Sequence, residues 1–206
     1  MPKLGISFLL SATLMGQDPS GALALCTKSV GSVTRDGDIR QGEIQKGSFL
    51  YSGDKITVGD SSFFSFINLN DRSNVKVYKN SIVKILFEQN GEITLSEIAL
   101  FGGKLSAELD KTDEREFRVH TPVSIAYVKG THFLAEHRTM AHHGPHYQGM
   151  ADCVFSVMSG LVEVENIKSG KSILLEKGKT VISTPDGEFH IFKTTDAFTN
   201  HYKEPE

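Results

Sequence analysis

Residues 117–133 read FRVHTPVSIAYVKGTHF, and this stretch decides the fold. Phe117-Arg118-Val119 alternates apolar and polar residues up to Thr121-Pro122. Ile125-Ala126-Tyr127-Val128 then runs to Gly130-Thr131, and Phe133-Leu134-Ala135 follows. Alternation with period two is the pattern of a half-buried strand. Pro removes a ladder donor and Gly relaxes the backbone, so Thr121-Pro122 and Gly130-Thr131 are read as turn or bulge positions, not catalytic ones.

The same grammar extends outward on both sides. Upstream, Val33-Thr34 leads into the turn Arg35-Asp36-Gly37-Asp38, and Asp-Gly predicts a tight type I′ hairpin. Ile56 and Val58 alternate with Lys55 and Thr57 before Gly59-Asp60. Phe64 to Leu69 and Val75 to Tyr78 flank the turn at Asn70-Asp71-Arg72-Ser73, and Asn90-Gly91 marks another hairpin after Ile82 to Phe87. Gly103-Lys104-Leu105-Ser106-Ala107 reads as a short strand of its own. Downstream come Val154 to Met158, Leu161 to Val164, Ile173 to Leu175 and Val181 to Ser183. Turns recur every ten residues or so, nineteen Gly supply them, and no stretch carries a convincing helical period. The expected fold is all-β, an antiparallel β-sandwich or β-roll of many short strands. A short echo recurs at Gly31-Ser32-Val33, Gly103-Lys104-Leu105 and Gly160-Leu161-Val162, readable as an old duplication or as turn grammar alone.

Composition narrows the function classes. The chain has 206 residues and a formal charge of -3, which leaves no basic field for nucleic acid. Two Cys are too few for a disulfide scaffold or a Cys-only zinc site. Cys26 and Cys153 either pair or stay as separate buried thiols. Lys3 followed by the apolar run Leu4 to Gly16 and a polar break has the layout of a signal peptide cleaved after residue 16, a change that takes the charge from -3 to -4. The competing reading of that run is a buried N-terminal element. Nothing later is apolar for long enough to span a bilayer, so the processed chain is expected to lack a transmembrane segment and to be periplasmic or secreted. Leu23-Ala24-Leu25-Cys26 departs from a lipidation motif at Leu25.

Half of the eight His fall in ten residues, His137, His142, His143 and His146, in a loop with Gly144-Pro145. These are the metal candidates, with Asp152 nearby, set against a solvated hairpin loop. A cupin-like metal site needs His-x-His within a strand, and none occurs. Gly-x-Ser-x-Gly, His-Glu-x-x-His and a phosphate-binding glycine loop are also missing from the sequence, so no catalytic residues and no cofactor are assigned.

Two stretches carry a family pattern. One comprises Leu50-x-x-Gly53-Asp54-x-Ile56-x-x-Gly59, Leu69-x-Asp71-x-Ser73-x-Val75 and Asn80-Ser81-x-Val83-x-Ile85. The other comprises Phe117-x-Val119-x-Thr121-Pro122, Ala126-x-Val128-Lys129-Gly130-Thr131-x-Phe133, Gly160-x-Val162-x-Val164 and Leu175-x-x-Gly178. In this order they resemble a FecR domain, the periplasmic module of FecR-type sigma-factor regulators. Departures are Lys129 for Arg, Val58 for Thr and Arg72 for Gly. The resemblance covers residues 22–183, with 1–16 as signal peptide and 184–206 as a C-terminal extension expected to be frayed or loosely docked. It implies a non-enzymatic, all-β binding or sensing module in envelope signalling, here in a stand-alone exported form, whose partner is an envelope protein or cell-surface component. The alternative is a histidine-loop metal-binding or cupin-like β-barrel protein of the periplasm.

Overall fold

A computed structural model describes residues 21–90, 93–110, 115–138 and 151–204. The expected signal peptide, and His142, His143 and His146, lie outside the described residues. The first half of the fold holds β1 (Ala24–Val30), β2 (Val33–Asp36), β3 (Gln41–Glu43), β4 (Phe49–Leu50), β5 (Lys55–Val58), β6 (Phe63–Asn68), β7 (Asn74–Val77) and β8 (Ser81–Asn90). The second holds β9 (Ile93–Glu108), β10 (Arg115–His120), β11 (Ser124–His137), β12 (Cys153–Asn166), β13 (Ser172–Glu176), β14 (Lys179–Ser183) and β15 (Phe189–Lys193). A four-residue helix, α1 (Asp196–Thr199), and a 3-10 turn over Asn200–Tyr202 follow. No described helix is long and apolar enough to cross a membrane.

The class is all-β, with two corrections. Ladder hydrogen bonds run unbroken through one mixed sheet, not through two separate sheets. Nor is it purely antiparallel, because β9 and β10 pair in parallel from Thr94↔Arg115 to Ala99↔His120. A parallel partner is a long-range choice that period-two patterning leaves open.

Three long strands change neighbours midway. β9 pairs with β8 and β10 in its first part and with β7 and β11 in its second. β11 pairs first with β10 and the end of β12, then with β9 and the start of β12. The sheet thus folds over on itself, and one apolar cluster joins Ile56, Val83 and Ile98 to Phe66, Phe133 and Phe155. Fully burying each such side chain contributes about 1.5–3 kcal/mol.

The echo seen in the sequence marks three corners of the sheet. Gly31, Gly103 and Gly160 have φ of 72°, 88° and 82°. Each packs against the hydroxyl of Ser62, Ser81 or Thr131 respectively. That hydroxyl follows a left-handed residue, Ser61, Asn80 or Gly130. It donates two residues back, to the carbonyls of Asp60, Lys79 and Lys129. It also accepts the N–H of the residue after the glycine, Ser32, Lys104 or Leu161. The same corner is built three times from a glycine and a hydroxyl residue.

Two local expectations change. Gly37 is not at positive φ, and β2–β3 closes over a longer loop with Asp36 opposite Gln41. Gly is required there because a Cβ would strike the Asp54 carboxylate. The strand expected at 103–107 is the far part of β9. The sheet also continues past Ser183, since β15 pairs with β14 from Ser183↔Phe189 to Lys179↔Lys193.

Candidate functional site

The family-motif residues serve the framework. Gly53, at φ 94°, donates to the Ile85 carbonyl at 2.8 Å. Asp54 is buried, accepts the Tyr51 N–H at 2.9 Å and faces the Arg35 guanidinium at 3.4 Å. Burial outweighs those two attractions and pushes its carboxyl up from the ordinary value. Arg35 also donates to the Phe49 carbonyl at 2.7 Å, so the pair ties β2 to the turn before β5. Gly59 donates to the Ser32 carbonyl at 2.9 Å. Thr121 accepts the Ser124 N–H at 2.9 Å and donates to the Ser124 carbonyl, closing the turn that holds Pro122. Gly130, Thr131 and Gly160 form the third corner, and a Cβ on Gly160 would lie 2.6 Å from the Thr131 hydroxyl. Phe133 is fully buried, edge-on to Phe117. Gly178, at φ 77°, donates to the Val157 carbonyl where β13 passes to β14.

Of the metal candidates only His137 is described. It ends β11, buried, with Nδ1 3.3 Å from Cys153 Sγ. The Cys153 thiol donates to Thr121 Oγ1 at 3.0 Å. Burial pushes the thiol up to about 12 and holds the imidazole below its ordinary value. The pair is therefore neutral thiol and neutral imidazole, the opposite of an activated cysteine. No group of three or more His, Cys, Asp or Glu among the described residues has metal-holding geometry. Cys26, on β1, is a separate buried thiol, pushed up to about 11 by burial.

A concave feature of the described residues lies on the outer face of β6, β7 and β11. Phe64 and Phe66 point into the core, so Phe63 points outward, as do Tyr78 and Leu134. These three form a second apolar cluster with Tyr202, flanked by Val30, Met158 and Phe198. Tyr202 lies edge-on to Tyr78, with centroids 5.3 Å apart, and 5.5 Å from the Phe198 ring. The Lys104 ammonium stands over the Tyr202 ring at 5.8 Å. Two residues on, Glu204 bonds Lys76 at 2.7 Å and Lys28 at 3.5 Å. Beside this contact runs a groove of about 670 Å³, walled by Lys79, Lys104, Glu136 and His137 of the sheet and by Lys203 and Glu204 of the segment.

The expectation of a frayed or loosely docked extension is thus corrected. Tyr202 in the aromatic cluster, Phe198 beside it and the Glu204 carboxylate on Lys76 and Lys28 seat it. The spacing of Phe198 and Tyr202, four residues apart, is the signal that reveals a helical face.

Residues 54–163 match the family model described as FecR protein. No curated protein matches the chain in sequence. Among solved structures, two crystal structures of "a putative anti-sigma factor from Parabacteroides distasonis ATCC 8503", at 1.65 and 2.50 Å, share the fold with a TM-score of 0.52 and 20% identity. The match covers 68% of this chain and 59% of that one, so this chain spans less than two thirds of its length.

Proposed function

The chain belongs to the FecR protein family, and from that premise we propose that it is an exported, non-enzymatic binding or sensing module in sigma-factor signalling of the cell envelope. The observation that carries this is the family match over residues 54–163, joined to the fold shared with an anti-sigma factor. The buried, neutral Cys153–His137 pair supports a role without covalent chemistry. The apolar run before the polar break at Gln17 supports export to the periplasm or beyond. The partner is an envelope protein or a cell-surface component.

Capture from a solubilised envelope extract, with the processed chain as bait, tests the reading. Reproducible retention of a transporter or sensor protein supports it. Retention of glycan or peptidoglycan alone replaces it with a wall-binding role, and retention of nothing overturns it.

A further inference from the structure

We infer that the outer face of β6, β7 and β11 is a docking surface for a peptide segment bearing an aromatic side chain and, two residues later, a carboxylate, and that Thr195–Glu204 is its intramolecular occupant. The inference rests on the proposed binding role and names the chemistry of the partner.

Three observations carry it. First, a solvent-facing sheet surface ordinarily alternates to polar residues, yet this one presents Phe63, Tyr78 and Leu134 together. They are buried in a cluster with Tyr202, a residue outside the sheet. Second, the cover is fastened by side chains. The backbone bond from Thr194 N–H to the Gly178 carbonyl is followed by bonds that stay within the segment, from Phe198 and Thr199 to Thr195. A cover without ladder bonds leaves the sheet intact when it swings away. Third, the fit is incomplete. The Tyr202 hydroxyl is buried with no hydrogen-bond partner among the described residues, so a phenyl ring suits the slot better than a phenol. Among the described residues the groove beside the segment is unfilled and neither Lys79 nor Lys104 on its wall has an ion pair to a carboxylate, whereas Glu136 on the same wall is held by Arg138 at 3.6 Å. With Lys28 and Lys76 already holding Glu204, the cradle selects an acidic segment with one aromatic anchor.

The segment itself supplies the probe. A synthetic peptide of residues 194–204 is titrated calorimetrically into the purified full chain and into its Tyr202→Ala and Glu204→Ala variants. The intact chain, whose own segment acts at millimolar effective concentration, binds the peptide at least tenfold more weakly than either variant. A peptide carrying Tyr202→Phe binds more tightly than the parent, and one carrying Glu204→Lys loses at least tenfold. The inference is overturned if both variants, each with the circular dichroism of the parent, bind no peptide. It is equally overturned if the Glu204→Lys peptide binds as well as the parent, or if phosphatidylglycerol vesicles bind in its place. Should Tyr202→Ala not fold, Glu204→Ala alone decides. All components are purified, so failure here leaves capture from envelope extract free to succeed, and the reverse.

Discussion

Arg72 carries a left-handed backbone, φ 58°, in the turn between β6 and β7, and donates its N–H to the Asn68 carbonyl at 3.0 Å. The family pattern places Gly there, and the geometry shows why: a side chain in that conformation costs about 1–2 kcal/mol. Arg72→Gly relieves the strain and returns part of it as unfolded-state entropy, roughly 0.5–1 kcal/mol. A net stabilisation of about 0.5–1 kcal/mol is expected, read as a higher urea midpoint at unchanged slope. The cysteines give a second prediction at this scale. Burial raises Cys26 to about 11 and Cys153 to about 12, so both are protonated thiols at pH 8. The native chain should leave Ellman's reagent uncoloured at pH 8, and two thiols should react once guanidinium unfolds it. Two reactive thiols in the native state would contradict the burial described for both.

Elements show where sequence reading succeeds and where it stops. Period-two alternation locates the strand cores, because a pleat puts alternate side chains on opposite faces; β5 and β7 follow it residue by residue. Strand ends are misread at Gly103 and Gly160, whereas Gly130 is a bulge position as read. A glycine at positive φ that finishes one strand and a glycine that bends a continuing one look alike in sequence. Only the Ser81 and Thr131 hydroxyls, distant in the chain, make the difference. The corner repeat predicts unequal costs for one substitution. Gly160→Ala meets both a left-handed backbone and the Thr131 hydroxyl and Gly130 carbonyl at 2.6 and 2.7 Å. Gly170, at φ 65°, has nothing among the described residues within 4 Å of a new Cβ. Gly170→Ala should therefore cost only the conformational part, about 1 kcal/mol, and Gly160→Ala at least about 2 kcal/mol. Chemical denaturation of the two variants side by side measures the difference, and equal costs would remove the corner's steric role.

At the scale of the whole molecule, the docked segment was the least readable feature. Val30, Phe63, Tyr78, Leu134 and Met158 each look like an ordinary strand residue locally, and only the register of β1, β6, β11 and β12 gathers them beneath Tyr202. Its docking has a pH window whose limits have opposite signs. Lys76 first, then Lys28, holds the Glu204 carboxyl below its ordinary value of 4.5. A carboxyl depressed on docking stabilises the docked state above its free value, and that contribution disappears as pH falls through the depressed one. Glu204 and Lys76 are both more than a third exposed, so the acid limb is worth at most about 1 kcal/mol, or roughly fivefold in the open population. At the alkaline end, burial raises the Tyr202 phenol well above 10, with Glu136 and Tyr78 adding to the shift and Arg138 opposing it. Bonding to Glu204 raises Lys76 as well. Groups raised on docking contribute fully below their free values and lose that contribution as pH climbs through the docked ones. Amide exchange at Thr199 and Tyr202, corrected for its intrinsic pH dependence, should be slowest between about pH 5 and 9 and faster on both sides. Glu204→Gln should flatten the acid limb and remove the Lys76 share of the alkaline limb, leaving the Tyr202 share in place. Loss of both limbs in that variant would mean that Glu204 alone holds the segment and that the Tyr202 slot contributes nothing to docking.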